Sequence, residues 1–308
     1  MSRLLITLAT LMIAPVAMAL TIATGSPDGT YYKIGEDIKR LTADAGVQIE
    51  VLSTNGSFDN INLLGKGQAD LGIVQLDALK YFAEVMREKS NLDIFEKLKV
   101  VLNLYPEEIH VITNKEGISS FYDLANKKVA VGPVNSGTAL TAALLFKMYD
   151  IQAEQLNYKQ TEALARLKQG EIDAMVFVAG APVSVFKDLG PNFSLVRLPQ
   201  NPVLDQIYSR TVLGKDFYSW AKEDAATYAV PSGIVMVDSG AENQMREMGK
   251  LVLAILQGQE QLKKTGHPKW NDSELGIVYE DVGYSPTNDI IKIYAILDSL
   301  GYDVIKRK

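Results

Sequence analysis

No cysteine occurs among the 308 residues, and there are only two histidines. The first absence excludes a disulfide framework, a thiolate nucleophile and any cysteine-ligated zinc or iron–sulfur centre. The second means that His110 and His267 cannot supply a three-histidine metal site. Charge of one sign is not in excess: 31 basic residues against 37 acidic ones give a net charge of −6, which argues against a broad nucleic-acid surface. No short repeat runs through the chain, and 47% of it is hydrophobic, which excludes disorder, collagen and coiled coil. At roughly 150 residues per domain, the length predicts about two domains.

The first nineteen residues form a separate object. Arg3 precedes an almost wholly apolar stretch, Leu4–Ala14, and Ala17-Met18-Ala19 fits the small-x-small cleavage rule. The stretch is shorter than the about 20 residues needed to span a bilayer. A signal peptide over 1–19, cleaved after Ala19, is the expectation, and with it a periplasmic mature protein; the alternative is an uncleaved anchor. Neither a paired arginine nor a lipid-accepting cysteine is present.

From Leu20 onward the pattern is strand, polar loop, helix, repeated. Leu20–Thr24, Val47–Leu52 and Asp70–Gln75 read as buried strands, with Ile34, Ile38 and Leu41 on one helical face and a third helix over Leu76–Arg87. Lys99–Leu104 and Ile109–Asn114 are two predicted strands flanking Tyr105-Pro106-Glu107-Glu108. Ser120 with Asp123 suggests a helix start. Lys128–Gly132 and Ala174–Val178 are further strands, Ser136 opens a helix through Lys147, and Thr161 caps another ending near Gly170. Tyr228–Asp238 is extended, interrupted by Pro231-Ser232-Gly233. Ser239-Gly240-Ala241-Glu242 is a predicted capping box before a long helix with a Met245, Met248, Val252, Ile255, Leu256 stripe. This is the pattern of an α/β protein with two lobes, each a mainly parallel sheet flanked by helices. The expected boundaries are lobe 1 over 20–108, lobe 2 over 109–230, and a return to lobe 1 with C-terminal helices over 231–308. The hinge strands lie near Glu107 and Val230.

In open parallel sheets, ligands sit beyond the carboxyl ends of the strands. Three loops stand there: Gly25-Ser26-Pro27-Asp28-Gly29-Thr30-Tyr31-Tyr32, Ser53-Thr54-Asn55-Gly56-Ser57 and Asn135-Ser136-Gly137-Thr138. Each leads into a helix, so converging N–H groups, hydroxyls and the partial positive charge of the helix start would hold carboxylates without arginine. Ordinary helix capping is the competing explanation for each loop taken singly. The first loop lacks the lysine of a P-loop, and no loop has the glycine spacing of a nucleophile elbow. His110 reads as structural, since no serine spacing supports a triad. Glu107 and Glu108 point to opposite strand faces, so one of them, Glu107, is placed in the cleft, where it would meet an amine. Tyr31, Tyr105 and Phe177 are candidate aromatic walls or core residues. The Lys/Glu-rich stretch Glu84–Lys99 reads as a solvated helical face.

These residues are familiar. Thr24-Gly25-Ser26-Pro27-Asp28-Gly29-Thr30-Tyr31-Tyr32 resembles the opening motif of the TAXI family, the solute receptors of one branch of tripartite ATP-independent periplasmic (TRAP) transporters. The resemblance continues through Ser53–Ser57, Ala69–Gln75, Leu104–His110, Val129–Gly132, Asn135–Thr138, Ile172–Ala174 and Phe177–Pro182. The opening loop departs from the family's glycine-richer form at Pro27 and Asp28. The resemblance implies a two-lobed periplasmic binding protein that closes on a small carboxylate (glutamate, 2-oxoglutarate or a related dicarboxylate). It implies delivery to membrane-embedded TRAP permease subunits without ATP, with no cofactor, no metal, no nucleic acid and a monomeric receptor. The implied contacts are Gly25, Ser26, Tyr31, Thr54, Ser57 and Gln75 from the first lobe and Asn135, Ser136, Gly137 and Thr138 from the second. Tyr105 walls the cleft, and Glu107 pairs with an α-amino group if the solute is an amino acid. A sensing module feeding a signalling partner is the alternative role for the same lobes. An enzyme using Glu107 or Asp28 as general base is the third reading, without a nucleophile–base pair to support it.

Overall fold

A computed structural model describes residues 19–88, 97–273, 275 and 280–281. All of the expected signal peptide but Ala19, most of the chain after Ser273, and the side chains of most of Glu84–Lys99 lie outside the described residues.

The strands are β1 (Leu20–Ala23), β2 (Ile49–Leu52), β3 (Leu71–Gln75), β4 (Leu98–Thr113), β5 (Lys128–Ala130), β6 (Glu154–Leu156), β7 (Ala174–Ala179), β8 (Ser194–Leu195), β9 (Ser209–Leu213), β10 (Ala225–Val237) and β11 (Glu280–Asp281). Helices α1 (Thr30–Ala43), α2 (Ser57–Gly65), α3 (Leu76–Glu88), α4 (Gly137–Met148), α5 (Gln160–Gln169), α6 (Glu242–Gln257) and α7 (Gln259–Thr265) flank them. The strand order is β2-β1-β3-β10-β4-β7-β5-β6. β2, β1 and β3 pair in parallel, as do β6, β5 and β7, so both expected parallel sets are present. Between them runs an antiparallel pair, β10 and β4, which the strand-loop-helix pattern did not announce.

Those two long strands join the halves. The first part of β4 and the last part of β10 pair with each other beside β3, whereas Glu108–Thr113 pairs with β7 and Ala225–Ala229 with β9. Tyr105–Glu107 and Val230–Ser232 are the segments where the chain passes from one half to the other. The two strands expected on either side of Tyr105-Pro106-Glu107-Glu108 are therefore one, and likewise Pro231-Ser232-Gly233 does not interrupt β10. The proline is tolerated because Pro106 is in register with Pro231, so neither deprives its partner of an amide donor, and the register shifts just beyond. The expected boundaries at 108/109 and 230/231 thus fall inside strands.

Each half has its own core. Ile22, Ile34, Ile38, Leu71, Ile73 and Ile234 pack in the first, joined by Met248, Leu251 and Ile255 of α6. Phe121, Val129, Leu145, Val176 and Tyr228 pack in the second. β3 is buried along its whole length, as expected for a strand covered on both faces. Gly35 lets α1 lie against the sheet: a Cβ there would come within 2.8 Å of Thr24 Cγ2.

Three helix starts differ from expectation. Ser120 and Asp123 do form a reciprocal cap, but on a four-residue 3-10 turn, Phe121–Leu124, that β5 follows too closely for a full helix. α5 begins after Lys159, so Thr161 lies inside the first turn and caps nothing; Gly170, left-handed at φ 76°, ends it as predicted. At α6 the cap residue is Ala241, and the Ser239 hydroxyl donates instead to Gln244 Oε1 at 2.6 Å. The local competition went to a longer side chain one turn on.

Candidate functional site

The carboxyl ends of the parallel strands enclose a cavity of about 240 Å³. The loop after β1 contributes Gly25–Tyr31, the loop after β2 Ser53–Ser57, and β3 ends in Gln75. From the second half come Pro133 and Ser136–Thr138 after β5, Lys159–Thr161 after β6, and Phe177–Ala179 of β7. Glu107 reaches the cavity from the crossing strand β4. This volume is below the roughly 300–1,000 Å³ of pockets for drug-sized ligands, so it suits a small solute.

Four helices start at the wall. The residues preceding α1, α2, α4 and α5 are Gly29, Gly56, Ser136 and Lys159, and all four line the cavity. Only Ser136 caps its own helix, accepting from Ala139 N at 3.2 Å; the other three starts receive no side-chain cap. Uncapped first turns leave N–H groups unspent, and the helix dipole makes the region favourable to anions.

Several hydroxyls in these loops are engaged within the protein. Thr54 Oγ1 donates to backbone and side-chain oxygens of Thr24 and Asn60 and accepts from Gly56 N. Ser57 Oγ accepts from Gln75 N at 3.0 Å, and Thr138 Oγ1 from Val178 N at 3.1 Å. They fix the loops, and the loops present backbone.

The two halves meet around the cavity. Thr30 Oγ1 donates to Gly180 O at 2.6 Å, and Gln75 Nε2 to Thr141 Oγ1 at 3.1 Å. Tyr208 donates to Asp77 Oδ2 at 2.7 Å, and Thr141 to the same oxygen at 3.2 Å. Burial raises the Asp77 carboxyl above its ordinary range, with these donors opposing the shift. Gly137 permits the approach, since a Cβ there would overlap Gln75 Oε1 and lie 2.9 Å from Ser57 Oγ.

Glu107 is 1% exposed, and its Oε1 has no hydrogen-bond partner in the protein; neither has the buried Tyr31 hydroxyl. Burial holds the Glu107 carboxyl well above the usual carboxylate range, with Asp77 and Glu108 adding to the shift and Tyr31 and Ser232 opposing it. Glu108 points to the other face, as alternation requires, where the fully buried Lys269 ammonium pairs with it and Ala181 N donates to it at 2.7 Å. His110 is buried between Glu108 O, at 2.9 Å, and the Tyr218 hydroxyl, at 2.8 Å. Burial pushes it down to about 3. It is not among the cavity residues, and its ring is part of the core.

Ten expected contacts line the cavity: Gly25, Ser26, Tyr31, Thr54, Ser57, Gln75, Glu107, Ser136, Gly137 and Thr138. Two do not. Tyr105 is 3% exposed and lies behind the wall, where a Cβ on Gly180 would come within 2.9 Å of its ring. Asn135 is exposed on the outer side of its loop, because the helix start that presents Ser136 and Gly137 inward turns the residue before them out. Sequence reasoning missed Lys159 and Gln160. Their available sign was a helix start after a short strand, which was read only as a Thr161 cap. Among the described residues no group of three or more acidic or histidine side chains is placed to hold a metal ion.

A family model described as NMT1-like matches residues 22–276. The chain belongs to the NMT1-like family. Among solved structures, one described as a periplasmic transporter shares 14% identity, covers 93% of this chain and 96% of its own, and superposes with a TM-score of 0.59. The periplasmic binding protein BugD shares 8%, with coverages of 92% and 94% and a TM-score of 0.57. Tv2483, solved with L-arginine, shares 14%, with coverages of 83% and 93% and a TM-score of 0.50. At such identities the likeness is one of fold: this NMT1-like chain has the two-lobed architecture of periplasmic binding proteins. No helix among its described residues is long and apolar enough to cross a membrane.

Proposed function

We propose that the protein is an extracytoplasmic solute receptor of the TAXI type, closing on glutamate, 2-oxoglutarate or a related dicarboxylate and delivering it to a TRAP permease. The observation that carries the reading is one cavity combining four helix starts, three of them uncapped, with a buried carboxyl group, Glu107, one of whose oxygens has no hydrogen-bond partner. The helix starts suit a ligand's carboxylates. Glu107 suits its ammonium, and an amino acid offers both. Residues 20–108 and 231 onward form lobe 1 in this reading, 109–230 lobe 2, and the ligand closes them by fitting the closed state better. His110, bonded to Tyr218 and backbone, does not line the cavity.

The test is thermal unfolding of the protein from Leu20 against amino acids, keto acids and dicarboxylates. A ligand of the folded state at a hundredfold excess over its Kd stabilises by about 2.7 kcal/mol. A rise confined to acidic amino acids or dicarboxylates supports the reading, and no rise with any carboxylate overturns it. Loss of solute uptake on deleting the gene separates transport from a sensing role.

A further inference from the structure

The four helix starts are not spread evenly; they come as two pairs, each with one member from either lobe. α2 meets α4: a Cβ on Gly56 would stand 3.9 Å from Ser136 Cβ, and Gly137 lies against Ser57 and Gln75. The loop before α1 meets α5, where Ser26 Oγ stands 3.5 Å from Gln160 Oε1. At this second pair Gln160 is 6% exposed, lines the cavity, and its Nε2 is buried without a hydrogen-bond partner. A buried amide donor left unmade is costly, and native proteins rarely leave one without a use. Beside it stands Lys159, the one cation among the residues that line the cavity.

We propose that the α1–α5 pair is a second anion subsite, in which Gln160 and Lys159 receive the distal carboxylate of the solute while the α2–α4 pair receives the first. Gln160 is then the residue that decides between acidic and apolar side chains. The inference rests on the receptor reading and adds to it the residues that set its specificity. In this arrangement each anion bridges one helix from each side, so a solute with two carboxylates would favour the closed form. Asp28, on the same loop as Ser26, lines the cavity too. Its carboxylate repels a distal anion, so Lys159 has the further effect of offsetting it.

The experiment is calorimetric titration of the protein from Leu20 with glutamate and with 2-aminobutyrate, which keeps the α-groups and lacks the distal carboxylate. Wild type, Gln160→Glu, Gln160→Met and Lys159→Met are compared. Thermal unfolding checks that each variant folds, since Gln160 is buried. The wild type is expected to prefer glutamate, and Gln160→Glu to weaken glutamate by about a hundredfold, Gln160→Met by about tenfold and Lys159→Met by a few fold. All three leave 2-aminobutyrate within about twofold of the wild type. Variants that keep the wild-type preference for glutamate over 2-aminobutyrate overturn the subsite alone. A wild type that binds neither these nor any other carboxylate overturns the receptor reading and the subsite with it.

Discussion

Glu107 and Glu108 are neighbours on β4, both buried, both carboxylates, and they have opposite fates. On the back of the strand Glu108 is satisfied inside the protein by Lys269 and by Ala181 N. On the front Glu107 has Tyr31 and Ser232 nearby and an oxygen without a hydrogen-bond partner. A buried charge requires compensation. Where the protein supplies it, the group holds the fold together; where it does not, the group is available to a ligand. The contrast also separates stability from function along a single strand: Lys269 ties the crossing point to the segment after α7, while Glu107 faces the solute.

The contrast breaks most completely from the back. Lys269→Met strands Glu108 in the interior, and loss of one partner of a buried pair costs about 3–5 kcal/mol. Chemical denaturation should show that loss, with partial recovery when Glu108→Gln is added. A loss below about 1 kcal/mol would mean that the pair is hydrated and the back of the strand no different from the front.

Closure is the next test. Gly137→Ala places a methyl group over the Gln75 amide, which Thr141 and Asp77 hold from moving aside. Solute affinity should fall by about tenfold, or about 1.4 kcal/mol, with little change in unfolding free energy. An unchanged affinity would show that the lobes need not approach this closely at the α2–α4 pair.

A third test is in pH. Glu107 titrates higher in the folded than in the unfolded chain, so the folded state holds its proton longer, and stability without solute falls as pH rises above the usual carboxylate range. Glu107→Gln should abolish that fall. His110 works in the other direction: pushed down to about 3, it stays neutral in the fold and removes stability as pH drops below 6.5. A stability curve measured from pH 5 to 8 on the Glu107→Gln protein leaves the joint contribution of His110 and of His267, which burial also lowers, and a persisting decline above pH 6 would assign the effect to Asp77, whose carboxyl is also raised by burial.

Much of the first lobe was legible because its elements obey local rules. β1, β2 and β3 are short apolar runs ended by Gly-, Ser- and Asn-rich loops, and Ile34 and Ile38 mark the buried face of α1 as predicted. The crossing strands were not legible as single strands, since Pro106 and Pro231 look like breaks until each is seen opposite the other in a long-range register. The cavity was partly legible for a similar reason. Loops that follow strands announce helix starts, so Ser26, Ser57 and Ser136 were found. Lys159 and Gln160 follow a three-residue strand with exposed Glu154 and Gln155, and carry no glycine signature. Asn135 belonged to the right loop on the wrong side, a difference of one residue that only the backbone path decides. That Thr54, Ser57 and Thr138 bond to the ends of β1 and β3 and to β7 is tertiary information of the same kind.

The central claim is that Glu107 meets the ammonium of an amino-acid solute while the helix starts meet its carboxylates. Titration calorimetry of glutamate and 2-oxoglutarate on the wild type and on Glu107→Gln tests it directly, because the two solutes share both carboxylates and differ at the amine. The account predicts that the substitution weakens glutamate by about 30- to 100-fold, in line with loss of a charge-assisted bond, and leaves 2-oxoglutarate within about threefold. Equal losses for both solutes would contradict it.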